Sequence, residues 1–142
     1  MRIAALLFLL GSLASGTALA DACHVLTRSS SADVPEVETE SCYEFQGMPA
    51  DAIGWSCSNE SKEMLNSQKQ QVERCKAGSR GRCVAALTQE SLANPKASGE
   101  NQPTARPSVP NDAKVITHYY SVANLGQARS DCENGGGTWQ DP

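Results

Sequence analysis

Six cysteines, Cys23, Cys42, Cys57, Cys75, Cys83 and Cys132, constrain this 142-residue chain more than any other feature. Their number is even and they are spread along most of the chain, so they read as three disulfides in a protein that folds in an oxidising compartment. Each bridge is expected to add roughly 2 to 4 kcal/mol by restricting the unfolded chain. The spacing leaves every pairing open.

The N-terminus says where such bridges can form. Arg2, an apolar run from Ile3 to Leu10 and small residues ending in Ala18-Leu19-Ala20 have the three-part layout of a secretory signal. The run is too short for a bilayer core, which needs roughly 20 residues. Residues 1–20 are therefore expected to be a cleaved signal peptide of bacterial type, with a mature start at Asp21, a periplasmic or secreted location and no stable membrane insertion afterwards. Lipidation of Cys23 would leave an odd set of cysteines, and Ala20-Asp21-Ala22 lacks the leucine that such a signal wants. Residues 21–142 have the length of a single domain.

After loss of Arg2, eleven Lys and Arg face sixteen Asp and Glu, a net charge of −5, which argues against nucleic acid as a partner. The charge is divided along the chain. Asp33, Glu36, Glu38, Glu40, Glu44, Asp51 and Glu60 form an acidic stretch without a base, and residues 62–82 then carry six bases against Glu63 and Glu73. Two solvated faces explain this pattern, and so does a dipolar surface that steers a charged partner. Aromatics are few: Tyr43, Phe45, Trp55, Tyr119, Tyr120 and Trp139 are all that residues 21–142 hold. Disulfides are expected to compensate for a thin core.

Residues 23–28 have strand composition, and Cys42-Tyr-Glu-Phe-Gln alternates as a half-buried strand does, so the two predict a hairpin joined by an acidic, Ser-rich connector over 29–40. Gly47-Met48-Pro49 ends the strand. A short helix follows with Ile53 and Cys57 on one face. Residues 61–75 are rich in straight-chain helix formers and predict a surface helix with Met64, Leu65 and Val72 as its buried stripe. A loop with two glycines then runs from Cys75 to Cys83, and a strand is expected over 84–88. Four prolines between 94 and 110 mark a flexible loop. Residues 114–120 read as a strand, 124–133 as a helix, and Gly135-Gly136-Gly137 as the stop from which Thr138-Trp139 folds back.

A shift of 75 residues superimposes Phe45 on Tyr120, Cys57 on Cys132 and Asn59 on Asn134. Each half then reads strand, strand, helix, with Cys23 and Cys83 leading the first strand. The expected fold class is α+β: a small antiparallel sheet with two or three short helices, organised as two strand-strand-helix repeats and stapled by three disulfides.

Cys42-Tyr-Glu-Phe, the interval from Cys75 to Cys83, Tyr119-Tyr120 and the ending Cys132-x3-Gly136-Gly137-x-Trp139 resemble the elements of small exported bacterial proteins of unknown function that share a Cys-x3-Gly-Gly-x-Trp ending. The resemblance covers most of residues 21–142 apart from the proline-rich loop. It implies export and disulfides, and it supplies no activity and no functional residue.

The residue types needed for chemistry are thinly supplied. With only His24 and His118, and no Cys-x2-Cys pair, neither a metal nor a cofactor is expected, and both histidines suit strand positions. Cys75 and Cys83, the closest pair, suit structural bridging better than thioredoxin-like redox work. The acidic residues offer no distinguishable glycosidase pair. The triple glycine follows a helix, so it is a helix stop and not a phosphate cradle. The most interaction-like feature is the basic loop carrying Arg74, Lys76, Arg80 and Arg82, fixed at its ends by cysteines and so presented at little ordering cost. The function expected is a non-enzymatic interaction module, inhibitor-like or immunity-like, that binds another exported or envelope protein. The alternatives are a small envelope hydrolase, or a ligand-binding protein that uses Trp55, Tyr119, Tyr120 or Trp139 as a stacking surface.

Overall fold

The computed structural model describes residues 21–28, 39–58, 67–92 and 107–142. The segment read as a signal peptide, most of the acidic connector, residues 61–66 of the expected surface helix with Met64 and Leu65, and residues 94–106 of the proline-rich loop lie outside them.

The alternating segments pair into one six-stranded antiparallel sheet in the order β3-β1-β2-β5-β4-β6. Its strands are β1 (Ala22–Thr27), β2 (Thr39–Gln46), β3 (Ser67–Val72), β4 (Gly81–Ala86), β5 (Lys114–Ser121) and β6 (Thr138–Gln140); the helices are α1 (Ala52–Ser58), α2 (Gln89–Leu92) and α3 (Leu125–Asn134). The expected α+β antiparallel sheet with short helices and three disulfides is therefore present, with the sheet dominant. The β1–β2 hairpin, the strand at 114–120 and the helices at 53–57 and 124–133 all stand where the sequence puts them.

Register decides which face each side chain serves. Because side chains alternate along a strand, the row Cys23, Tyr43, Thr117, Cys83, Trp139 points one way, and the next row, His24, Cys42, His118, Arg82, Gln140, points the other. The first row faces the helices. Cys23 is bridged to Cys57 of α1, and Cys83 to Cys132 of α3, so both helices cover the same face. Ile53 and Cys57 of α1 bury against Cys23, with Val25, Tyr43 and Phe45 packed around them, and Tyr43 Oη shares a 2.7 Å hydrogen bond with Ser56 Oγ. The third bridge, Cys42–Cys75, lies on the opposite, helix-free face. There Ala22, Cys42 and Cys75 form a second small core with Val72 and Tyr120.

The core on the helix-free face is built around alanine and cysteine, and the one under α1 around two cysteines and Ile53. Among the described residues the largest side chains buried almost completely are Cys23 and Cys42, so sulfur bridges stand where larger domains place leucines and phenylalanines.

Three expectations need correction. Residues 67–72, read as part of a surface helix, form edge strand β3, hydrogen-bonded to β1 from Ala22↔Val72 to Thr27↔Ser67. Gln and Lys tolerate either state, and pairing with β1 outweighs their mild helix preference. Cys75 and Cys83 do not close a loop together; each is bridged to a different element. The strand expected at 84–88 begins three residues earlier, at Gly81, and ends at Ala86; Thr88 then starts the unexpected helix α2, its Oγ1 accepting from Ser91 N–H at 3.0 Å. Of the proline-rich loop, residues 107–110 are held against α2, with Gln89 Nε2 donating to Pro107 O and Val109 N–H donating to Gln89 Oε1, both at 3.0 Å.

The Cys-x3-Gly-Gly-x-Trp ending is accounted for by packing. Gly136 turns with φ +82°, a conformation that costs L side chains strain. A Cβ on Gly137 would stand 2.8 Å from both sulfurs of the Cys83–Cys132 bridge. Trp139 lies over Gly81 on the neighbouring strand, where a Cβ would meet the indole at 2.1 Å, and its ring centroid is 5.5 Å from that of Tyr119. The indole thus covers bare backbone beside the bridge.

Candidate functional site

The helix-free face gathers most of the chemically versatile side chains. His24 and His118 stand on either side of Cys42 in one cross-strand row, and Arg82 follows His118. The Cys42–Cys75 bridge draws residues 73–80 across this face. Two further tethers hold them: Glu44 Oε1 accepts the Cys75 N–H at 2.9 Å, and Tyr120 Oη donates to Lys76 O.

Each histidine has a carboxylate beside it. His24 Nε2 lies 2.8 Å from Glu40 Oε1, and the same oxygen receives Lys76 Nζ at 2.6 Å. Glu40 sits at the register shift of β2, the kind of irregularity that re-aims a side chain. Its hydrogen bonds from Lys76 and then His24 hold its carboxyl below the usual range. Lys76 also sits 4.9 Å over the Tyr120 ring, whose hydroxyl is pushed up by burial and by the nearby Glu44 and Glu40 charges. His118 is more enclosed. Its Nε2 is buried without a hydrogen-bond partner among the described residues and lies 3.7 Å from Glu44 Oε2. Burial, reinforced by the Arg82 charge, holds the imidazole below its ordinary value although Glu44 pulls the other way.

The basic loop is not the uniform row that the sequence suggests. Lys76 is neutralised by Glu40 and fixed on Tyr120, and the exposed Arg74 is beside its neighbour Glu73 at 3.2 Å. Arg80 and Arg82 are exposed and have no carboxylate partner among the described residues. The Arg80 N–H donates to Tyr119 O at 2.7 Å, which fixes the backbone at the start of β4.

A carboxylate beside an imidazole supplies the orienting and base parts of a nucleophilic triad. On this face His24 is beside the Glu40 carboxylate, which Lys76 also reaches, and His118 is beside Glu44 and Arg82; no serine hydroxyl or free thiol joins either pair among the described residues, and all six cysteines are bridged. The surface combines half-buried aromatic and histidine rings with exposed arginines. Among the aromatics considered for stacking, Tyr119 and Trp139 pack on each other on the helix side, whereas Tyr120 belongs to the helix-free face.

Sequence reasoning located the four cations but missed Glu40, Glu44, His24 and His118 as their neighbours. The missed signal is strand alternation: once 23–28 and 42–46 are paired, His24 and Glu44 fall on the side opposite Cys23. Compared with known protein families, with curated protein sequences and with solved structures, the chain matches none.

Proposed function

We propose that this chain is an exported, non-enzymatic interaction module that docks an acidic surface of another protein through the helix-free face of its sheet. The observation that carries the reading is the pair Arg80 and Arg82, two exposed cations without carboxylate partners among the described residues, on a segment whose ends are fixed by the Cys42–Cys75 and Cys83–Cys132 bridges. Holding the backbone in place before binding removes much of the ordering cost, so the charge of the arginines is available for affinity and steering. Export is the companion of this reading: three disulfides fit an oxidising compartment, and the Arg2-to-Ala20 segment has the layout of a signal.

The test is affinity capture from an envelope extract of cells that express the chain, with wild type beside the R74E/R80E/R82E variant. A saturable acidic partner, retained by wild type at low salt, released as salt rises and not retained by the variant, is the expected result. Equal retention by both proteins, or no saturable partner, overturns the reading.

The same proposal takes the two halves as copies of one strand-strand-helix-strand unit. The support is topological: outward from the β2·β5 seam the strands run β2-β1-β3 on one side and β5-β4-β6 on the other, and each unit joins its first strand to its helix by a disulfide. The 75-residue shift needs adjusting in the strands, since Phe45 packs on the helix side and Tyr120 on the other; a shift of 74, from the pairs Cys23↔Tyr43 and Cys83↔Thr117, matches Phe45 to Tyr119.

A further inference from the structure

The Cys42–Cys75 bridge differs from the other two in what surrounds it. His118 Nε2 is buried and has no hydrogen-bond partner among the described residues, and a buried polar atom without a bond calls for an explanation. Glu44 Oε1 is already held by the Cys75 N–H, while Oε2 is turned toward His118 at 3.7 Å. The donor atoms of Glu44, Cys75 and His118 all lie within 4.8 Å of one another, and the Cys42 sulfur is 2.06 Å from that of Cys75. Zinc bonds of about 2.0 to 2.3 Å in a tetrahedral site set donors roughly 3.3 to 3.8 Å apart. Three donors of suitable kind thus converge, and a fourth, Cys42 Sγ, is bonded to one of them; the sulfur–sulfur bond withholds both sulfurs, because a disulfide offers no thiolate.

We propose that opening the Cys42–Cys75 disulfide converts this corner of the helix-free face into a zinc-class metal site, with Cys42 Sγ, Cys75 Sγ, His118 Nε2 and Glu44 Oε2 as its donors. The reductant is a dithiol. One of its thiolates attacks a sulfur of the bridge and displaces the other cysteine as thiolate; its second thiol then resolves the mixed disulfide and frees the second cysteine. The dithiol leaves as a cyclic disulfide carrying the two-electron oxidation, and its two protons pass to solvent as both thiolates bind the dication. Two thiolates, an imidazole and a carboxylate suit a borderline-soft divalent ion. The Cys75 N–H on Oε1 is the outer hydrogen bond that orients the carboxylate.

The experiment reduces the full chain anaerobically with a small dithiol, removes the reagent, and follows alkylation of each cysteine by peptide mass mapping with and without one equivalent of Zn²⁺. Expected is a slowing of about tenfold or more at Cys42 and Cys75 relative to the other four, lost in H118A and in E44Q. A C42A variant guards against unfolding on reduction, since it frees Cys75 while the Cys23–Cys57 and Cys83–Cys132 pairs stay oxidised. In it, Co²⁺ is expected to give a thiolate-to-metal band that requires His118. Equal protection of all six cysteines, no protection, protection that survives H118A, or a natively folded C42A without the cobalt band overturns the proposal.

Discussion

Gly81 shows how narrowly single residues are set in this chain. A methyl group there would stand 2.1 Å from the Trp139 indole, so the ring must leave the backbone it covers. G81A is expected to cost about 1 to 3 kcal/mol, the usual range for overpacking. In a W139A background the same change is expected to cost much less, and a double-mutant cycle by urea denaturation measures the difference. His118 sets a pH response. Burial lowers its folded-state pKa below 6.5, so the unfolded chain takes up a proton first as pH falls, and stability is lost from about 6.5 downward to the folded-state value. Glu40, also lowered on folding, adds a loss at more acid pH, below its ordinary 4.5. Urea midpoints between pH 5 and 7.5 are expected to decline for wild type and to be flatter for H118Q.

At the scale of elements, the disulfides carry the packing. Cys23–Cys57 and Cys83–Cys132 span 34 and 49 residues, and the chain-entropy model gives each about 4 kcal/mol. Replacing either pair by alanine is expected to lower stability by similar amounts, because each removes the tie between a first strand and its helix. Denaturation of the two double variants tests this, and a difference well above about 2 kcal/mol would speak against two alike units. Edge strand β3 shows the limit of local reasoning: its Ser-Gln-Lys-Gln-Gln-Val carries no strong preference, and its state is decided by β1 beside it.

For the whole molecule, the seam between β2 and β5, paired from Glu40↔Ser121 to Gln46↔Lys114, makes one continuous sheet of the two halves. Trp55 in α1 and Trp139 in β6 report on opposite halves. Thermal unfolding followed by fluorescence in W55F and in W139F is expected to give coincident transitions in both variants; separated midpoints would show halves that melt independently.

Much of the architecture was legible because it depends on short-range pattern. Alternation in 42–46 and 114–120, the spacing of Ile53 and Cys57, and the glycines after residue 134 specify strands, a helix and a stop through local sterics and burial. Even cysteine number and thin aromatic content pointed to sulfur bridges as the main support of the core. Tertiary structure alone decided the rest. The pairing Cys23–Cys57, Cys42–Cys75 and Cys83–Cys132 follows from which strands become neighbours, and one residue of register determines whether a side chain faces the helices or the open side. For the same reason His24, Glu40, Glu44, Lys76 and His118, far apart along the chain, meet around one disulfide: alternation puts His24 and Glu44 on one side of their strands, but that β1, β2 and β5 lie side by side is decided by long-range pairing.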